Sequence, residues 1–228
     1  MTDFSRSAAL LGEPAMVRLR NAHVLVVGVG GVGGWCAEAL VRTGVGRLTV
    51  MDDDVVAPSN LNRQCPATVA NVGKVKVDAM RERLLSINPE AEITAVGRRY
   101  SAEGDRPDLS GFDIVIDAID SVACKARLIL DALAAGVPVV SSMGAALRRD
   151  PCAVKVSRFE KVEGDGLAKA LRRRFKLSGV RPGRFLCVWS TEAPRAQAGG
   201  EKGSLMQVTA VFGMALAFQA VEILTQND

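Results

Sequence analysis

Glycines at positions 28, 30 and 33 follow the apolar run His23–Val27 and lead into a segment of helical periodicity, giving the pattern Gly-x-Gly-x-x-Gly. A carboxylate, Asp52, stands nineteen positions beyond Gly33. Glycine lets the backbone turn tightly and approach a phosphate, a helix N-terminus favours anions, and a carboxylate at the next strand end accepts hydrogen bonds from ribose hydroxyls. The pattern predicts a nucleotide site, against the plainer alternative of a structural glycine turn. It does not say which nucleotide.

Beyond Asp52, a run of three aspartates (Asp52, Asp53, Asp54) is followed by Asn60, Arg63 and, at the start of a helix, Lys74 and Lys76. A dinucleotide has two bridging phosphates, which a helix N-terminus largely accommodates, whereas a triphosphate carries about four negative charges and needs fixed cations. Alone, each Arg or Lys would read as a solvated surface residue; downstream of a ribose carboxylate they point to ATP. A second acidic stretch, Asp117-Ala118-Ile119-Asp120-Ser121, lies where a fourth strand runs out, and strand carboxyl ends are where ligands bind in parallel sheets. Asp120 is the candidate Mg²⁺ carboxylate, because that ion takes one or two carboxylates plus phosphate oxygens. The competing reading makes Asp120 the cap of the next helix.

These residues need a frame that brings strand ends together. Apolar strands alternate with amphipathic helices: strands at 23–27, 48–51, 91–96, 114–116 and 138–140, helices at 32–43, 74–87 and 125–135. Val75, Ala79 and Leu84 read as the inner face of the second helix, and Gly136 ends the third. After residue 142 the rhythm changes. Segments 151–159 and 184–189 lack a normal crossover helix between them, which predicts antiparallel pairing. Residues 166–175 read as a helix with a cationic face, and 205–224 as an apolar helix packed on the sheet or a second subunit. The fold class is α/β: a Rossmann-like, doubly wound, mostly parallel sheet extended by antiparallel strands in the C-terminal third. One domain over residues 1–228 is expected, with a helical arm at about 4–20 and a basic insertion at about 161–184.

Composition narrows the chemistry. With 48% hydrophobic and 24% charged residues in 228, the chain can bury a full core and is far from the disordered range. Five scattered cysteines (Cys36, Cys65, Cys124, Cys152, Cys187) with no CxxC pair support neither a zinc ribbon nor a disulfide framework. No signal-peptide pattern opens the chain and no apolar run suggests a membrane span, so a cytoplasmic location is expected. The net charge of +4 is concentrated: residues 161–184 carry eight basic against two acidic side chains, leaving the remainder slightly negative. Closely spaced cations displace counterions from a nucleic-acid backbone, so Arg172, Arg173, Arg174 and Lys176 become candidate RNA contacts, a solvated basic helix being the alternative. The sole histidine, His23, sits at a strand entry as structure, and Cys187 lies in an apolar strand pattern as a small buried hydrophobe.

Taken together, Gly28-Val29-Gly30-Gly31-Val32-Gly33, Asp52 with Asp54, Ser59-Asn60-Leu61-Asn62-Arg63-Gln64, Val72-Gly73 with Lys76, and Asp117-Ala118-Ile119-Asp120 resemble, in order and spacing, the E1-like superfamily. That group includes the molybdopterin and thiamine sulfur-carrier adenylyltransferases and the ubiquitin-activating enzymes, and the likeness covers residues 3–159. Ala118-Ile119-Asp120-Ser121-Val122 and Ser190-Thr191-Glu192-Ala193 are most similar to its tRNA threonylcarbamoyladenosine dehydratases. The resemblance implies an ATP-binding homodimer in which Gly28, Gly30, Gly31, Gly33, Asp52, Asp54, Asn60, Arg63, Lys76, Asp120 and Ser121 hold the nucleotide. Asp52 would hold the ribose, Asn60, Arg63 and Lys76 the phosphates, and Asp120 the Mg²⁺. Arg63, Lys76 and Asp120 would act in catalysis, joined by Arg6, which stands where the superfamily places an arginine reaching into the neighbouring subunit. Two departures bear on function. The zinc CxxC pairs usual in sulfur-carrier enzymes are missing, and the stretch 191–204, matching the crossover loop, has no cysteine. A persulfide or thioester step with a sulfur-transfer partner is thereby unsupported.

The expected function is ATP-dependent cyclisation of N6-threonylcarbamoyladenosine in a tRNA anticodon loop. The alternatives are adenylation of the C-terminal glycine of a ubiquitin-like sulfur carrier, an NAD-binding oxidoreductase, and a non-catalytic RNA-binding protein that keeps only the fold.

Overall fold

A computed structural model describes residues 2–101, 103, 106–177, 179, 185–196, 199, 200 and 202–226. Five short apolar segments form most of the parallel part of one sheet: β1 (His23–Val27), β2 (Arg47–Met51), β3 (Glu92–Val96), β4 (Ile114–Asp117) and β5 (Val139–Ser142). Two more strands, β6 (Val154–Arg158) and β7 (Leu186–Ser190), complete it in the order β3-β2-β1-β4-β5-β7-β6. The central strands β1, β4 and β5 are buried on both faces, which is why they read as unbroken apolar runs.

Only β6 runs antiparallel. It pairs with β7, the antiparallel pairing expected, although a 12-residue helix stands between the two where the sequence suggests none, and β7 itself pairs parallel with β5. The reason is α6 (Gly166–Leu177), which acts as the crossover that brings the chain back to the sheet's starting edge. Arg184, where the sequence predicts the second C-terminal strand to begin, and Arg181 of the basic segment lie outside the described residues.

On one face of the sheet α3 (Gly33–Thr43), α4 (Lys76–Ile87) and α7 (Met206–Thr225) share a core containing Leu40, Leu48, Met80, Leu84, Phe212 and Leu216. On the other, α5 (Val122–Ala134) and α6 pack through Leu128, Ile129, Leu171 and Phe175. Each such aliphatic or aromatic side chain contributes about 1.5–3 kcal/mol on full burial. Val75 is not inner, as the 74–87 periodicity suggests: α4 begins at Lys76, Val75 is its exposed N-cap, and Val77 and Met80 join Ala79 and Leu84 inside. The arm is two helices, α1 (Ser5–Leu11) and α2 (Glu13–Asn21), split at Gly12, whose φ of 81° ends the first.

By length and hydropathy α7 is long enough to cross a bilayer, yet one side of it (Val208, Phe212, Leu216, Ala220) is buried in the protein core. It lies very close to α3. A Cβ on Gly213 would sit 2.5 Å from the Val32 carbonyl oxygen and 2.8 Å from the Trp35 Cβ. Both neighbours belong to the start of α3, so this glycine sets the spacing between the last helix and the helix that follows the glycine turn. Gly213→Ala should therefore destabilise the fold by about 1–3 kcal/mol through overpacking, seen as a lower urea midpoint at unchanged m-value. An unshifted midpoint would show that the crossing can relax.

Candidate nucleotide site

Parallel pairing aligns Val27 with both Met51 and Asp117, so β1, β2 and β4 end at one level and their following loops meet on a single edge. The glycine turn after β1 is forced by contact. At Gly28, φ is 87° and a Cβ would lie 2.7 Å from the Ala118 carbonyl oxygen; at Gly33 a Cβ would lie 1.8 Å from the Gly28 carbonyl oxygen. No side chain fits at either place. Gly30 and Gly31 differ, since they make room: the Gln64 carboxamide lies against the first and the Arg63 stem against the second, 3.4 Å from a would-be Cβ.

Asp52 ties this turn to the end of β2. Its Oδ2 accepts the Val29 N–H (2.8 Å) and its Oδ1 the Asp54 N–H (3.0 Å). Lys76, with its side chain 3% exposed, places Nζ 2.8 Å from Asp54 Oδ2 and 3.5 Å from Asp52 Oδ1. A buried ammonium needs such partners, since desolvation disfavours its charge. The three neighbouring carboxylates of residues 52–54 have oxygens within 4.8 Å of one another, as a cation site would require. They are nonetheless compensated by the protein itself: Lys76 covers Asp52 and Asp54, and the Arg99 guanidinium covers Asp53 at 3.0 Å.

Asn60 and Arg63 lie on the turn after β2. Asn60 Oδ1 accepts the Ala57 N–H (3.0 Å), and Arg63 Nη1 donates to the Ser59 carbonyl (2.8 Å) and Asn62 Oδ1 (2.9 Å), while the Trp35 indole holds the Arg63 carbonyl (2.9 Å). The arginine is thus laid across Gly31 with its head on the surface. Lys74 points elsewhere, pairing with Glu82 at 3.0 Å, and leaves the cation set. Asp120 is exposed at the end of β4, and among the described residues its carboxylate has no partner. It is not the helix cap: that position belongs to Ser121, whose hydroxyl makes no capping bond. An exposed carboxylate without a protein partner, two residues beyond the Ala118 that packs on Gly28, fits Mg²⁺, which prefers few protein ligands and phosphate oxygens.

Arg6 is not brought to this edge. Thr2 bonds to Ile87 and Asn88 at the end of α4, and the Phe4 ring packs at Gly44 after α3, so α1 lies where strands begin rather than where they end. Of the four basic-helix candidates, Arg172 also serves the structure. Its guanidinium lies 5.1 Å from the Phe159 ring centroid and donates to the Phe159 carbonyl (3.0 Å), pinning the turn before α6. Arg173, Arg174 and Lys176 project from the exposed face.

Two groups escaped the sequence reading. Lys125 is entirely buried and paired with Asp117 at 2.7 Å, so Asp117 is a structural anion and not part of an open acidic site. Its position among Val122, Ala126, Ile129 and Ala132 was the available signal, because a lysine inside a helix's apolar stripe demands a buried partner. The other is an anchoring network on the loop after β5. Arg148 pairs with buried Asp165 (2.9 Å), and Glu192 Oε2 accepts the Arg149 and Asp150 N–H groups at 2.8 Å each. Those two backbone donors hold the Glu192 carboxyl below its usual range.

A family model described as the ThiF family matches residues 4–228. The tRNA threonylcarbamoyladenosine dehydratase of Bacillus subtilis is 39% identical over 192 residues, covering 84% of this chain and 75% of that protein. The Escherichia coli dehydratase is 39% identical over a 246-residue alignment, covering 96% and 92%. A crystal structure of the latter in complex with ATP superposes with a TM-score of 0.87 over 97% of this chain and 93% of its own.

Four of the five cysteines are buried. Cys187 is fully buried on β7, and desolvation pushes its thiol up; Cys36 is raised in the same way, and Cys65 to about 12 by burial and by its bond to Glu38. Only the thiolate is nucleophilic. Alkylation of the native protein at pH 8 should accordingly label Cys152, the exposed one, and leave the other four intact. Labelling of the Cys187 peptide by mass spectrometry would contradict this.

Proposed function

This chain belongs to the ThiF family, and we propose that it is an ATP-dependent dehydratase that cyclises N6-threonylcarbamoyladenosine in the tRNA anticodon loop. The observation that carries the reading is one edge where a glycine turn, the Lys76–Asp52–Asp54 cluster, Arg63 and an open Asp120 converge. The dehydratases that match over most of this chain are the relatives that support the substrate. We keep residues 1–228 as one ATP-binding domain, working in the cytoplasm where tRNA and ATP are.

A carboxylate oxygen is a poor leaving group, and ATP removes that obstacle. One oxygen of the threonine carboxylate attacks a phosphorus of ATP, the bond to the departing phosphate chain breaks, and a mixed anhydride forms. A nucleophilic atom of the substrate's own carbamoyl group then attacks the activated carbonyl. The phosphorylated or adenylylated oxygen departs with the bonding pair, a proton is lost, and the ring closes. No protein nucleophile is needed. The chain positions the reactants and stabilises charge developing on the phosphates, through Arg63, Lys76 and the N-terminal end of α3.

On this reading Asp52 holds the ribose, Asn60 supplies its amide Nδ2, and Ser121 lies beside the phosphates. Lys76 exchanges part of its carboxylate contact for phosphate oxygen. Mg²⁺ on Asp120 would neutralise phosphate charge. Val211, Met214 and Phe218 of α7, spaced as one helical stripe and 36, 43 and 57% exposed, support a homodimer. Because Arg6 sits at the opposite edge of its own sheet, it can serve a nucleotide only across such an interface.

Incubation with ATP, Mg²⁺ and tRNA carrying the linear modification should yield the cyclised nucleoside by mass spectrometry. Its absence would overturn the dehydratase reading. Arg63→Ala should lower the rate by about 100-fold or more, the effect of removing one charge-stabilising donor. For the RNA-binding face, α6 starts at the loop edge, where Asp165 accepts the Gly144 N–H, and runs away from it. At about 1.5 Å per residue, Arg173 and Lys176 lie roughly 12 and 16 Å down the helix. They are therefore placed to meet backbone phosphates away from the reacting nucleoside. Arg173→Ala with Lys176→Ala should raise KM for tRNA at unchanged kcat, and flatten the salt dependence of binding by about one unit of slope for each cation removed. An unchanged slope would move the RNA surface elsewhere.

A further inference from the structure

The buried pair under the end of β4 has a job that stability does not require. Lys125 Nζ lies 2.7 Å from Asp117 Oδ2 and 2.9 Å from the Ser142 carbonyl, and Ser141 Oγ donates to the same Asp117 oxygen at 2.6 Å. Both charged side chains are 0% exposed. Burying two charges costs desolvation that their attraction only about repays, and an apolar pair of similar volume is often as stable or more so.

What the pair does fix is the next turn. The second oxygen of Asp117, Oδ1, accepts the Ile119 N–H (3.1 Å), and the Lys125 N–H donates to the Ser121 carbonyl (2.9 Å). The Asp117 side chain thus grips one side of the loop that carries Asp120, and the first backbone bond of α5 closes the other. One grip is at Ile119, directly before it, and the other at Ser121, directly after. The Ala118 N–H is bonded to the Val27 carbonyl (2.9 Å), which fastens the same loop to the strand that feeds the glycine turn. Lys125 also cancels the charge of Asp117, so Asp120 is the one carboxylate of this loop left uncompensated among the described residues.

We propose that Lys125 is a positioning residue: through Asp117 it locks the 118–121 turn so that the Asp120 carboxylate stands ready for the metal on the phosphates. This rests on the reading that Asp120 holds Mg²⁺. Partners of a metal ligand typically change metal affinity by about 10–100-fold when removed.

The test is calorimetry of ATP binding with Mg²⁺ and with EDTA, which isolates the gain in affinity due to the metal. Asp117→Leu with Lys125→Met replaces the ion pair by an apolar one. It should leave metal-free ATP binding as in the wild type and lose the Mg²⁺-dependent gain by about 10-fold or more. Adding Asp120→Ala to this double variant should change little further, whereas adding Arg63→Ala should lower affinity independently. Lys125→Arg alone, which keeps the charge, should retain the gain. If the double variant does not fold, Ser141→Ala, which removes one hydrogen bond to Asp117, carries the same comparison in milder form. A wild-type Mg²⁺ gain in the folded double variant, or in Ser141→Ala if only that folds, overturns the proposal. If Asp120→Ala alone leaves the gain intact, the metal reading fails first, and the proposal with it.

Discussion

A single carboxylate joins the parts of this site. Asp52 accepts one N–H from the glycine turn and one from its own loop, and its third neighbour is the Lys76 ammonium at the start of α4. A carboxylate has about four lone-pair directions, so the protein already uses most of them, and β1, β2 and α4 are locked together through two oxygen atoms. The lysine is nearly excluded from water, so its charge depends on these acids as much as their geometry depends on it. A ligand that takes up Asp52 has one direction left or must compete with the Lys76 contact, whose 3.5 Å separation from Asp52 is the longest of the set. On the proposed reading, ribose and phosphate recognition would be coupled there by proximity.

Close packing supplies the second constraint. Gly28 and Gly33 let the chain fold back on Ala118 and on itself, while Gly213 brings α7 down onto the first turn of α3. The phosphate-facing helix N-terminus is thereby clamped between the sheet and the last helix of the chain. Thr209 of α7 lies against Gly31, so residues separated by most of the sequence share the nucleotide edge. Pre-organisation of this kind makes backbone N–H groups effective toward anions, because little reorganisation is needed when charge arrives.

The parts legible in the sequence were those governed by local rules. Glycines after an apolar strand, an acid at the next strand end and the alternation of strand and helix fix the parallel half of the sheet and the location of the edge. What escaped depended on contacts between distant segments. Lys125 stands in the apolar stripe of its helix, but nothing near it in sequence shows that Asp117 and Ser142 close around it. Arg172 reads as part of a cationic face until the Phe159 turn is found beneath it. Lys74 and Lys76 are two residues apart, yet one faces Glu82 in solvent and the other is buried, because α4 starts between them. The parallel pairing of β7 was hidden for a related reason: α6, read only as a basic helix, is also the crossover that returns the chain to the sheet.

Charge balance at the edge shows why these residues alone are not enough for a triphosphate. Asp52, Asp53, Asp54 and Asp120 contribute four negative charges, and Lys76, Arg63 and Arg99 three positive ones, so the bare site is slightly anionic. ATP brings about four more negative charges, and charges a few ångströms apart repel by several kcal/mol even at an effective dielectric near 20. Helix α3 offers only about half a positive charge at its N-terminus. The deficit must be met from outside the chain's own edge, and the proposed reading has two sources for it. Mg²⁺ at Asp120 adds two charges where the loop is already gripped by Asp117 and Lys125, and Arg6 of a second copy adds another without burdening this fold with a further buried cation. On that reading metal and dimer would answer one electrostatic requirement, set by the three aspartates that hold the glycine turn and the lysine in place.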